Sequence, residues 1–172
     1  MTNQRDQTKL IIQRFDNYIE GANTKGNFLL AINTFLSGVI VSNYSKFKEL
    51  ITAENDMIYL NVILVVLVVL SICTTFIVLK AVYPFLLSGN SSKDRYHSHI
   101  FFNSVAEFTD GNEYHKSLTK QSDESTDEDM SIQAFYLAKG LKSKYSNLEL
   151  AMKFVYAELF VLLVLLATIL IF

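Results

Sequence analysis

The chain is short of the residues that build covalent staples, phosphate loops and catalytic turns. Its only cysteine, Cys73, lies inside an apolar run. That excludes an intramolecular disulfide and a multi-cysteine zinc site. The six glycines, at 21, 26, 38, 89, 111 and 140, never gather into a phosphate loop or a dinucleotide turn. No serine stands in a nucleophile elbow. His97, His99 and His115 lack the companions of a zinc site, so they read as loop or cap histidines and no metal or cofactor is expected. Net charge is −2, so no basic field suits a nucleic-acid polymer. No apolar stretch with a small-residue cleavage site opens the chain, so no secretory signal is read. Strand signals and internal repeats are nearly absent. These absences argue against an enzyme.

What the chain has in quantity is apolar sequence: hydrophobic residues make up 51%, much of it in uninterrupted runs. A bilayer core needs about 20 such residues in a helix. Ile58 to Leu79 meets this, with Asn61, Ser71, Thr74 and Thr75 as its polar members. Phe154 to Phe172 meets it with Glu158 as its single charge. Gly26 to Tyr44 carries Asn33, Thr34 and Ser37 but no charge after Lys25. The expected fold is an all-α integral membrane helical bundle with three transmembrane helices and a helical cytoplasmic part. Its segments are 1–25, a cytoplasmic amphipathic helix; 26–44, the first span; 45–57, an outer loop; and 58–80, the second span. A cytoplasmic helical region follows at 81–153, with an acidic linker at 121–129, and then the third span at 154–172. If 26–44 were instead a buried cytoplasmic helix, the C-terminus would face the cytoplasm.

Orientation follows from lysine and arginine placement. Arg5, Lys9, Arg14 and Lys25 precede the first span, only Lys46 and Lys48 lie between the first two, and the rest fall between Lys80 and Lys153. The N-terminus and the long segment after the second span are therefore expected in the cytoplasm, with the C-terminus at the outer face. Lys25, Lys80 and Lys153 mark the inner ends of the spans, where they can snorkel to headgroups.

Within the cytoplasmic part, Ile11, Phe15, Tyr18 and Ala22 give residues 8–22 a helical stripe. Nothing between Gly21 and Gly26 forces a stop before the first span. Pro84 redirects the chain after the second. Ser88–Asp94 reads as a loop. Residues 97–119 read as one helix with a stripe of Ile100, Phe101, Val105 and Phe108 and a break at Gly111. Residues 121–129 read as a solvated linker, with Asp127 or Asp129 capping a helix that runs from about Met130 into the third span.

Polar groups within spans find no partners in lipid. Asn33 and Ser37 share a face, and Thr34 and Gly38 form a small-xxx-small pair. These residues and Glu158 are candidates for helix packing, an oligomer face or a pore lining. Glu158 is otherwise expected near the headgroups or paired with Lys80 or Lys25. For a small anionic ligand, Arg95 and His97 precede a helix start. Phe101, Phe102 and Tyr145 offer stacking faces, and Lys25, Lys142 and Lys144 offer charge.

Three stretches, GANTKGNFLLAINTFLSGVI at 21–40, HIFFNSVAEF with the later EYHKSL at 99–118, and MSIQAFYLAKGLKSKYSNLELA at 130–151, resemble the transmembrane effectors of Pycsar antiphage defence. The likeness covers residues 10–160. Ala22, Lys25, Leu30, Ala31 and Asn33 match the family pattern around the first span, and Gln133, Leu137, Ala138, Lys144 and Tyr145 match a later one. Asn23 stands where that pattern has an acid, and Gly26 where it has alanine. The resemblance implies an effector of abortive infection, and a homo-oligomer is expected because three thin spans in one subunit enclose no pore. It would bind a cyclic pyrimidine mononucleotide, a second messenger from a companion cyclase, and impair the integrity of the lipid bilayer. The messenger would meet Asn23, Lys25, Arg95, His97, Phe102, Lys144 and Tyr145. The departure at Asn23 leaves a cyclic oligonucleotide open as the signal. A ligand-independent scaffold or a holin-like protein is the competing class.

Overall fold

The computed structural model describes residues 2–49, 54–84 and 97–171. Among them every regular element is an α-helix: α1 (Thr2–Ser42), α2 (Tyr44–Glu49), α3 (Glu54–Val82), α4 (Phe102–Ala106), α5 (Gly111–Thr119) and α6 (Asp123–Ile171). Three helical stretches, Gln4–Ser42, Met57–Val82 and Asp123–Leu170, are long and apolar enough to cross a membrane. The expected loop at Ser88–Asp94 and the candidate Arg95 lie outside the described residues.

The long helices persist because nothing in them breaks the hydrogen-bond ladder. α1 runs 41 residues through Gly21, Gly26 and Gly38, and α6 runs 49 through Gly140. Isolated glycines cost helix stability without ending a helix. α1 closes where the Asn43 amide side chain donates to the Val39 carbonyl, 2.8 Å away. α3 stops at Val82, two residues before Pro84, whose ring disfavours helical backbone at Tyr83.

Three expected segments are corrected. The stretch 45–57, expected as an outer loop, holds most of α2 and the start of α3. Residues 97–119 are not one helix but a turn followed by α4 and α5. The division falls at Asp110, not Gly111. The Asp110 carboxylate accepts from the Asn112 and Glu113 backbone N–H groups, which makes it a strong N-cap. Hydrogen bonds from the Thr109 hydroxyl and from Thr109 N, the latter at 2.8 Å, hold the Glu113 carboxyl below its ordinary value. Third, the acidic stretch 121–129 is helical from Asp123 onward, so neither Asp127 nor Asp129 is the cap. Ser122 caps instead, its Oγ accepting from Ser125 N at 3.1 Å. Asp123 and Glu124 suit the positive end of the helix dipole. Arg5 donates to Asp127 at 2.5 Å and to Asp123 at 2.9 Å, offsetting the crowded charge.

The chain divides into two compact units, 1–21 with 84–143 and 22–83 with 144–172. In the first, buried Asp129 accepts from Ser98 Oγ at 2.7 Å and His99 N at 2.8 Å. Ser98 Oγ in turn accepts from Ile100 N and Phe101 N, so the turn before α4 is anchored to α6. In the second, Leu60, Leu64 and Leu67 of α3 bury against Leu165 of α6. Ala22, Ala81 and Leu148 make a smaller core where α1, α3 and α6 meet. Valines, leucines and phenylalanines such as Val65, Phe35, Phe76 and Leu163 face outward, as a lipid-facing surface requires.

Candidate functional site

Two polar constellations lie in the second unit. The first is built around Lys144, on α6 and only 5% exposed. Its Nζ donates to Asn23 Oδ1 at 2.9 Å, to the Ala81 carbonyl at 2.9 Å and to the Tyr83 carbonyl at 3.0 Å. An ammonium has three hydrogens, and all three are engaged. The two carbonyls belong to the end of α3, where backbone acceptors lack helical partners and a cation suits the dipole. No carboxylate pairs with Lys144 among the described residues, and burial lowers its pKa. Lys25, exposed on α1, sits over the Tyr145 ring with 5.6 Å from Nζ to the centroid. Between Asn23 and Lys25 on one side and the body of α1 on the other, Gly26 lets α1 approach α3. A Cβ there would clash with Val82 Cγ1. The cluster therefore offers an exposed cation, an aromatic face, a buried cation and an amide within one unit, a set suited to a small anion bearing a ring.

The second constellation runs between the apolar helices. Asn33, 1% exposed, donates from Nδ2 to the Ser71 carbonyl at 3.0 Å and to Thr75 Oγ1 at 2.9 Å. Ser37 Oγ donates to the Asn33 carbonyl at 2.7 Å and also bonds Ser71 Oγ. Buried Thr74 bonds both the Leu70 carbonyl and the carboxyl of Glu158. The expected pairing of Glu158 with Lys25 or Lys80 is not present; Glu158 is buried and turned to Thr74. The expected polar face of α1 also divides. Asn33 and Ser37 turn inward, whereas Thr34 and Gly38 are exposed, with open space around Gly38.

The remaining candidates belong to the other unit. His97 Nδ1 lies 3.5 Å from the Glu107 carboxylate, with its ring edge-on to Phe108. His99 Nε2 bonds Ser117 Oγ at 2.8 Å, and Tyr114 donates to the His99 carbonyl. Phe102 opens α4 and is 60% exposed. Of the seven residues expected to meet a ligand, Asn23, Lys25, Lys144 and Tyr145 thus come together, and His97 and Phe102 do not join them within their unit. Ser71, Thr74 and Thr75 stood out in the sequence only as polar members of a span. Their roles depend on which face of α3 meets α1 and α6, and in an almost wholly apolar helix no periodicity marks that face.

Long apolar helices joined by buried side-chain hydrogen bonds, with a separate helical unit, define an α-helical integral membrane protein. The chain belongs to the Pycsar effectors: the model of the Pycsar effector protein domain, PycTM, matches residues 7–171. A curated relative, the Pycsar effector protein EcPycTM of Escherichia coli, is 26% identical over 138 residues, covering 78% of this chain and 74% of its own. No solved structure matches. Membership makes the protein an antiphage membrane effector.

Proposed function

We propose that the protein is activated by a cyclic pyrimidine mononucleotide and then impairs the integrity of the bacterial inner membrane. The observation that carries this reading is the family match across residues 7–171, which takes in all four residues of the Lys144 cluster. In the proposed bound state the pyrimidine stacks on Tyr145 and the phosphate meets Lys25 and Lys144. Lys144 has no hydrogen to spare, so the phosphate must displace one of its oxygens. Displacing the Ala81 or Tyr83 carbonyl loosens the end of α3. The messenger biases the helices only if it binds the loosened arrangement more tightly. Three thin spans enclose no pore, so the proposed output is a homo-oligomer of this chain. Lysine and arginine placement orients the N-terminus and residues 85–153 toward the cytoplasm, where such a messenger is made.

Co-expression with and without a pyrimidine cyclase, read with a membrane-potential dye, tests this. Depolarisation is expected only with the cyclase, and equal depolarisation in both would sink the messenger-gated reading. The exposed residues give the sharper check. Lys25→Ala and Tyr145→Ala should each weaken binding of the cyclic mononucleotide by about tenfold, a loss of ~1.4 kcal/mol, while membrane insertion persists.

A further inference from the structure

The polar seam between the helices holds a buried carboxyl with no cation beside it among the described residues. Residues 26–44, 57–79 and 154–170 contain no lysine, arginine or aspartate, and Glu158 is their only ionisable carboxyl. Glu158 is 6% exposed, and its bonding partner is the Thr74 hydroxyl. An anion in hydrocarbon must be paired with a cation or neutralised. The hydroxyl hydrogens around it are already committed. Ser37 donates to the Asn33 carbonyl, so the bond between Ser37 and Ser71 uses the Ser71 hydrogen. Thr74 has one hydrogen for two acceptors, the Leu70 carbonyl and Glu158. Asn33 Oδ1, buried one turn from Ser37, has no hydrogen-bond partner among the described residues. The seam is therefore rich in oxygen acceptors and short of positive charge.

A cavity of about 20 Å³ opens beside these groups, lined by Ser37, Ser71 and Glu158 and otherwise by apolar side chains. That volume admits one water-sized occupant. Hard cations take oxygen ligands. One carboxylate neutralises one positive charge, whereas a divalent ion would leave a net charge among apolar side chains. The volume suits a dehydrated ion of sodium's size. We propose that Glu158, Ser37 and Ser71 form an intramembrane site for a monovalent alkali cation. The proposal rests on the helices crossing the membrane and not on the identity of the messenger, so a failed cyclase experiment leaves it standing.

The test uses the full chain in nanodiscs and dicyclohexylcarbodiimide, which attacks carboxyl groups in apolar surroundings when they carry a proton and is blocked when a metal ion holds them. Intact-mass and peptide spectra are followed in sodium chloride and in choline chloride of equal ionic strength, with Glu158→Gln as the blank. The expected result is labelling at Glu158 in choline that sodium slows several-fold. Ser37→Ala with Ser71→Ala should keep the labelling and lose the protection. Labelling indifferent to sodium would overturn the site, since the carboxyl would then carry only a proton or a water beside it. Absence of labelling in sodium-free choline would overturn it as well, because the carboxyl would be sealed packing without an exchange path.

Discussion

At the scale of single residues, Lys144 shows how a position can be legible in a sequence while its surroundings are not. A lysine near an aromatic residue reads as a phosphate contact. In the fold it is an internal clamp on the end of α3, because its four-carbon stem reaches carbonyls that helix geometry leaves without partners. Asn23 accepts from this cation at 2.9 Å as a neutral amide. Asn23→Asp would turn that contact into an ion pair and supply the missing counter-charge. It should stabilise the protein by about 1–2 kcal/mol, read as a higher unfolding temperature in detergent. The pH dependence gives a second readout. Burial lowers the folded pKa of Lys144 below its ordinary 10.5. Below the folded pKa both states are protonated and the full burial cost is present. Between the folded pKa and 10.5 the unfolded chain holds the extra proton, so stability rises with pH across that window. This alkaline gain should be present in the native chain and absent in Lys144→Met.

At the scale of elements, the apolar runs and the absence of breakers announced α1, α3 and the end of α6, since bilayer-length hydrophobicity is a strong signal. The short elements were harder to read. The stripe of Ile100, Phe101, Val105 and Phe108 has helical spacing across a boundary that Asp110 sets by its own capping bonds. The acidic stretch has the composition of a solvated linker, and its helix depends on Ser122 as a cap and on Arg5, a partner 118 to 122 residues away. Gly26 was likewise visible only as a departure from alanine, whereas in the fold it marks the contact of α1 with α3. Gly26→Ala should gain about 1 kcal/mol of helix propensity and lose more to the clash with Val82. A net loss of about 1–2 kcal/mol is expected, with Val82→Ala restoring it in the double variant. Additive losses in that cycle would mean that the two helices do not touch there.

At the scale of the whole molecule, hydropathy and motif order together were enough to read an all-α membrane effector, and the family match over residues 7–171 agrees. Hydropathy could not reveal how polar groups pair inside the apolar unit. A lone asparagine or glutamate in a span has the same composition whether it faces lipid, a neighbouring helix or a pore. α1 passes from one compact unit into the other at Gly21 without a break in its helix. If messenger binding acts through that continuity, Gly21→Pro should leave binding and membrane insertion near native and cut cyclase-dependent depolarisation strongly. A proline inside a helix removes a ladder bond and costs about 3 kcal/mol. Depolarisation retained at the native level would show that continuity of α1 plays no part in the response.

The full engagement of Lys144 also bears on dose. In the proposed bound state, a messenger phosphate that took one of its hydrogens would forfeit a charged hydrogen bond while making another of the same kind. Bonds to charged groups are worth about 1.5–3 kcal/mol each. The exchange therefore lowers apparent affinity by roughly tenfold or more relative to a free ammonium. Under the proposed function such an exchange would act as a safety margin: nucleotide at low concentration would meet an occupied lysine, and only a surge of messenger would dislodge it.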